Sequence, residues 1–98
     1  MTSNEWPFDQ PRNCAVFTNH SIVFGDEEIL NVFHDLSDHG WQFLNCKPPT
    51  TNDVALVLLE EIVARDDTVL EVADLPPGWA AKRPMPGAPW ERFRNPRK

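Results

Sequence analysis

Residues 56–79 read LVLLEEIVARDDTVLEVADLPPGW, and this stretch decides the fold. Leu59, Ile62 and Val63 fall at helical spacing while Glu60, Glu61 and Arg65 take the other side, the pattern of a helix with one buried face. Asp66 and Asp67 interrupt it. Thr68, with Glu71 three residues on, reads as a capping box that restarts a helix. Val69, Leu70, Val72 and Ala73 supply its buried side. Pro76-Pro77-Gly78 then stop it, because proline lacks an amide donor and clashes with the preceding turn. The expectation is one bent helix, or two short ones, laid on a sheet built from the rest of the chain.

Working outward, the flanking apolar runs are short and of strand type. CAVFT (residues 14–18) is the first, and after a kink at Asn19-His20-Ser21 the residues Ile22, Val23 and Phe24 are expected to continue it. ILNVFH (29–34) alternates, with Leu30, Val32 and His34 on one face. WQFLNC (41–46) alternates likewise, with Trp41, Phe43 and Asn45 together. The polar DLSDHG between them closes on a turn-type glycine, so the two runs predict an antiparallel hairpin. KPPTTND (47–53) is a loop, and residues 54–58 form a further strand ahead of the helix. Residues 79–83 give a last short strand. The predicted fold class is α+β: a small antiparallel sheet with one bent helix or two short helices packed on one face. The 98 residues form a single domain, with an extended N-terminal arm (1–12), a core (13–83) and a proline-rich basic tail (84–98).

An apolar fraction of 41% with 24% charged residues is that of an ordinary globular chain. No apolar run approaches the ~20 residues that cross a bilayer. The opening MTSNEWPFDQPRN lacks the basic start and apolar stretch of a signal peptide, so a cytosolic location and no membrane partner are expected. Cys14 and Cys46 sit in strand-like runs at no metal-site spacing and read as two buried thiols. Charge is asymmetric: residues 1–81 hold fourteen acids against Arg12, Lys47 and Arg65, whereas residues 82–98 hold six bases against Glu91. An acidic body repels nucleic acid and attracts basic partners. The basic tail is too short and proline-rich to bind nucleic acid by itself.

Four groups of residues have the right chemistry for a site. His34, Asp35, Asp38 and His39 gather metal-ligand types in one loop, although Asp and Ser also serve turn chemistry. Cys14 or Cys46 with His20 or His34 supplies the parts of a nucleophile–base pair but no neighbour that lowers a thiol pKa. Glu60-Glu61 and Asp66-Asp67 pair carboxylates, yet adjacent acids on a helix point apart and suit its dipole. Trp41, Trp79, Trp90 and Arg92 have the composition of a contact surface, with Asp35 and Asp38 placed to steer a basic partner. No glycine-rich phosphate loop is present, and no cofactor is expected.

Gly40-Trp41-Gln42-Phe43, Leu59-Glu60-Glu61-Ile62 followed by Arg65-Asp66, and Leu75-Pro76-Pro77-Gly78-Trp79 occur in that order. Over roughly residues 13 to 92 the chain thereby resembles a bacterial domain family grouped among the immunity proteins of polymorphic toxin systems (the immunity-protein 33 group). The resemblance implies a small α+β cytosolic protein that neutralises a toxin domain by binding it; the acidic body, read separately, fits a basic partner such as a nuclease toxin. It brings no catalytic residues. Two other classes stay open: a small metal-dependent enzyme or sensor using His34, Asp35, Asp38 and His39, and an accessory domain of an operon partner.

Overall fold

Short apolar blocks separated by turn residues become strands that only the sheet as a whole can order. The computed structural model describes residues 6–45 and 53–95. Along the chain run β1 (Ala15–Asn19), α1 (His20–Phe24), β2 (Asn31–His34), β3 (Trp41–Leu44), β4 (Val54–Leu58) and α2 (Leu59–Arg65). A 3₁₀ helix (Asp67–Val72), β5 (Trp79–Lys82) and β6 (Glu91–Arg94) follow. The fold is α+β. Its strands form one sheet in the order β4-β1-β3-β2-β5-β6.

Neighbouring strands are antiparallel except β1 and β3, so the sheet is mixed rather than wholly antiparallel. The cause is local. Ile22, Val23 and Phe24, expected to extend the first strand, lie in α1 instead. The Asp53 carboxylate, at the start of β4, accepts from Asn19 Nδ2 at 2.6 Å and from the Ser21 amide at 3.2 Å. That contact turns the chain out of β1. The excursion lets the β2–β3 hairpin return with β3 running beside β1 in the same direction.

The hairpin has the expected alternation, pairing His34 with Trp41 and Val32 with Phe43. Its loop closes with the Asp35 amide donating to Gly40 O at 2.8 Å. Asp38 Oδ1 accepts from the Gly40 amide at 2.9 Å, and His39 takes a left-handed φ of 58°.

The central helical stretch is two short pieces. Glu61 Oε1 accepts from the Leu58 amide at 2.8 Å, satisfying a donor at the start of α2. Glu60 and Glu61 occupy its first turn and Arg65 its last, in the sense its dipole favours. Asp66, not Thr68, caps the second piece: its Oδ1 accepts from Thr68 N–H at 3.1 Å and from Thr68 Oγ1–H at 2.5 Å. The Thr68–Glu71 capping box does not form as expected, because the aspartate two residues earlier already holds the threonine.

Register sorts the side chains onto two faces. Val16, Thr18, Val32, His34, Trp41, Phe43 and Ala81 look inward and are buried. Ile22 of α1, Leu59 and Ile62 of α2, and Val69 and Val72 of the 3₁₀ helix complete the core over them. Phe8 of the N-terminal arm joins it, meeting Trp41 edge-on at 5.0 Å. Removing a ring such as Phe43, 0% exposed, from water contributes roughly 2–3 kcal/mol.

The tail departs from expectation. Residues 91–94 are not irregular but form β6, paired with β5 from Trp79↔Arg94 to Lys82↔Glu91. Among the described residues, no helix is long and apolar enough to cross a membrane.

Candidate interaction surface

The expected contact residues lie mostly on the helix-facing side of the sheet. Trp41 is only 1% exposed; it stacks on His34 at 4.0 Å and donates from Nε1 to Asp9 Oδ1 at 3.0 Å. It is core, because the N-terminal arm folds over it. Trp79 is half-buried against the core. Trp90 donates from Nε1 to Thr68 O at 3.2 Å and lies over the Arg83 guanidinium at 4.1 Å. Arg92 reaches the 3₁₀ helix, donating to Glu71 O at 2.8 Å, and pairs with Asp74 at 2.8 Å. Trp90 and Arg92 therefore fasten β6 and its approach to the helical layer. Asp38 is exposed in the hairpin turn, while Asp35 accepts from Gln42 Nε2 at 2.9 Å.

The same geometry gives no support to a metal centre in this loop. His34 is buried, and its Nδ1 lies 2.6 Å from Leu75 O. A carbonyl can only accept, so Nδ1 carries a proton. Nε2 is 3.1 Å from Asp9 Oδ2, close but off the line of a hydrogen bond. The His39 ring centre is 6.3 Å from that of His34, and Asp38 is occupied with Gly40. Among the described residues no group of three or more His, Cys, Asp or Glu is placed to hold a metal ion. Cys14 is a free, half-buried thiol, and Cys46 lies outside the described residues.

Arg83 concentrates the polar chemistry of the interior. Its Nε and Nη2 both donate to Ile29 O, at 3.1 and 2.9 Å; Nη1 donates to Thr68 Oγ1 at 2.9 Å. Nη2 also meets Asp66 Oδ2 at 2.7 Å. Burial alone raises the Asp66 pKa. The Thr68 hydroxyl, the Thr68 amide and the Arg83 charge together outweigh that, leaving the carboxyl below its ordinary 3.8. This network is structural: every donor is directed at a neighbouring segment of the fold.

Among the described residues, no helix packs on the sheet face opposite the core. Register carries one row across the six strands: Leu56, Phe17, Gln42, Phe33, Ala80 and Phe93. At the β4–β1 end it is bare. Phe17 is 49% exposed, Val54 41%, Leu56 61% and Leu58 36%. These four side chains leave on the order of 350 Å² of apolar surface in water, the size of the largest patch on a typical monomer. The β5–β6 end is charged instead, with Lys82 opposite Glu91.

No family model, curated protein or solved structure matches the chain. The surface must therefore be read from its own chemistry. The sequence reading did not single it out because CAVFT and residues 54–58 lack the apolar–polar alternation that marks a solvent-facing side. The available signal was that only one helical stretch was predicted, too little to cover two faces of a sheet.

Proposed function

We propose that the protein is a non-enzymatic binding protein of the immunity kind, which neutralises a basic toxin domain in the cytosol by occluding it. The bare apolar face of Phe17, Val54, Leu56 and Leu58 carries this reading. A contiguous patch of this size is often functional, and here it lies at a sheet edge. The acidic body, fourteen acids against three bases over residues 1–81, favours a basic partner through faster encounter. The ordered blocks Gly40-Trp41-Gln42-Phe43 and Leu75-Pro76-Pro77-Gly78-Trp79 add the resemblance to immunity proteins.

The contact residues are accordingly Phe17, Leu56 and their neighbours. Asp38 and the acidic remainder of the surface steer. Co-expression with the products of the adjacent reading frames, followed by affinity capture, tests the reading. The expected result is one stoichiometric partner, toxic when expressed alone, whose affinity falls roughly ten-fold or more with Phe17→Asp. That variant keeps its melting temperature, because Phe17 supports no core. Equal capture by wild type and Phe17→Asp would remove the face from the mechanism. Failure of any neighbouring product to bind or to be neutralised would remove the immunity reading.

A further inference from the structure

The two edges of the sheet are built differently. β6 carries Glu91, Arg92 and Arg94 in four residues, the charged edge by which proteins discourage strand pairing. β4, at the opposite edge, is Val-Ala-Leu-Val-Leu, with no charge, proline or bulge. In a chain that is 24% charged, an unguarded strand at a sheet edge is a template for another strand.

The direction of its backbone groups follows from its pairing with β1. The Leu59 amide donates to Cys14 O and the His20 amide to Asp53 O, one at each end of the ladder. Hydrogen-bonded pairs alternate in an antiparallel ladder. Val16↔Val57 and Thr18↔Ala55 are therefore the bonded pairs, and the backbone groups of Val54, Leu56 and Leu58 point away from β1. Glu61 already takes the Leu58 amide.

We infer that β4 pairs antiparallel with β4 of a second copy, joining two sheets into one and two half-faces into one binding surface. The occupant follows from self-complementarity. With Leu56 on the two-fold axis, Leu56 exchanges both bonds with its equivalent, and Val54 stands opposite the partner copy's Leu58. Every outward group then meets another in one register, save that the Leu58 amide stays with Glu61 and leaves the opposing Val54 carbonyl without that donor. β4 itself carries no charged side chain to oppose its like across the axis, although each copy carries a net charge of −6.

Edge pairing leaves the side chains of Phe17, Val54, Leu56 and Leu58 on the open face, now continuous between copies. The joined face presents roughly 700 Å² of apolar surface, close to the ~800 Å² that one partner contributes to a standard interface. A single copy offers about half of that. The inference rests on the binding reading for its purpose, but not for its test.

Sedimentation of the full chain over roughly 1–500 µM spans the range expected for a small interface. The expected result is reversible association to twice the 11.2 kDa chain mass. Leu56→Pro should stay monomeric at every concentration with its fold intact, because the amide it removes points outward and proline is tolerated on an edge strand. Leu56→Lys, which sets like charges against each other on the axis, gives the same outcome if proline unfolds the chain. Phe17→Asp should still dimerise. A wild type that is monomeric throughout, or a dimer unaffected by Leu56→Lys, overturns the pairing. Monomeric wild type that still captures a partner overturns the pairing and leaves the binding reading standing. A dimer that captures none supports the pairing and removes only the binding reading.

Discussion

Replacing Arg83 by Met removes one charge and leaves a side chain of similar reach, which isolates what the guanidinium does. Arg83 is 5% exposed and follows directly on β5. It ties three segments that are distant in sequence: Ile29 ahead of β2, Asp66 and Thr68 at the start of the 3₁₀ helix, and Trp90 ahead of β6. Breaking a buried ion pair from one side costs about 3–5 kcal/mol, because the remaining charge is left without its partner. The Asp66 side chain is 18% exposed, so water recovers part of that loss and the lower end, about 3 kcal/mol, is expected. For a domain of about 100 residues each kcal/mol moves the midpoint by roughly 4–8 °C, giving a fall on the order of 12–24 °C.

Thermal and urea unfolding measure this directly. Asp66→Asn in the Arg83→Met background should recover about 1–2 kcal/mol, since it removes the orphaned charge. The pH dependence supplies a second reading. A carboxyl whose folded pKa is depressed contributes stability above its unfolded pKa, and that contribution is lost as pH falls through the folded value. Wild-type stability should therefore decline from about pH 4 downward as Asp66 protonates. In Arg83→Met this component shrinks, because burial still raises the pKa while the hydrogen bond and the charge of Arg83 have both gone. A midpoint change below about 4 °C, with an unaltered acid limb, would refute the reasoning.

Two further substitutions test neighbouring parts of the packing. Asp9→Ala removes the acceptor of Trp41 Nε1 and the carboxylate facing His34; a loss of about 1–3 kcal/mol in urea unfolding is expected, with faster proteolysis of the arm. Trp90→Ala removes a partly buried indole from Arg83 and from Thr68 O. It should cost about 2–3 kcal/mol while leaving partner affinity per folded molecule unchanged, which a titration on the folded fraction reads.

Much of the fold was legible because its signals are local. The Val32/His34 and Trp41/Phe43 alternation gives the β2–β3 register, and the DLSDHG turn closes it. Leu59 and Ile62 mark α2, and the Pro76-Pro77-Gly78 stop is real, with Gly78 at φ 87°. Most failures have a different cause. Ile22, Val23 and Phe24 carry no period that separates helix from strand, and the group that turns them is Asp53, thirty-two residues from Ser21. Residues 91–94 are charged and short, and become a strand only because β5 offers an edge. Thr68 has the composition of a cap, but Asp66 reaches it first and is held in place by Arg83, seventeen residues on. The helix at Ile22–Phe24 and the strand at 91–94 are decided by contacts that no short window contains; the Asp66 cap is local, and only its anchoring by Arg83 is distant.

The candidate site was lost for a related reason. An aromatic residue between glycine and a strand, such as Trp41, has the same composition whether it caps a core or meets a partner. Only the arm carrying Phe8 and Asp9 decides for the core. Conversely, Phe17 and Leu56 sit in runs that are apolar on both sides, a pattern that normally means burial on both faces. The helical segments of this chain cover one face, and the sheet order places residues 54–58 at an edge. Local pattern and global position therefore disagree at Val54, Leu56, Leu58 and Phe17, while they agree at Val32, Phe43, Leu59 and Ile62. A natural sequence keeps such a disagreement where function requires it. The apolar character that a buried strand would need is here retained on an edge strand, and the proposed pairing and binding would cover it.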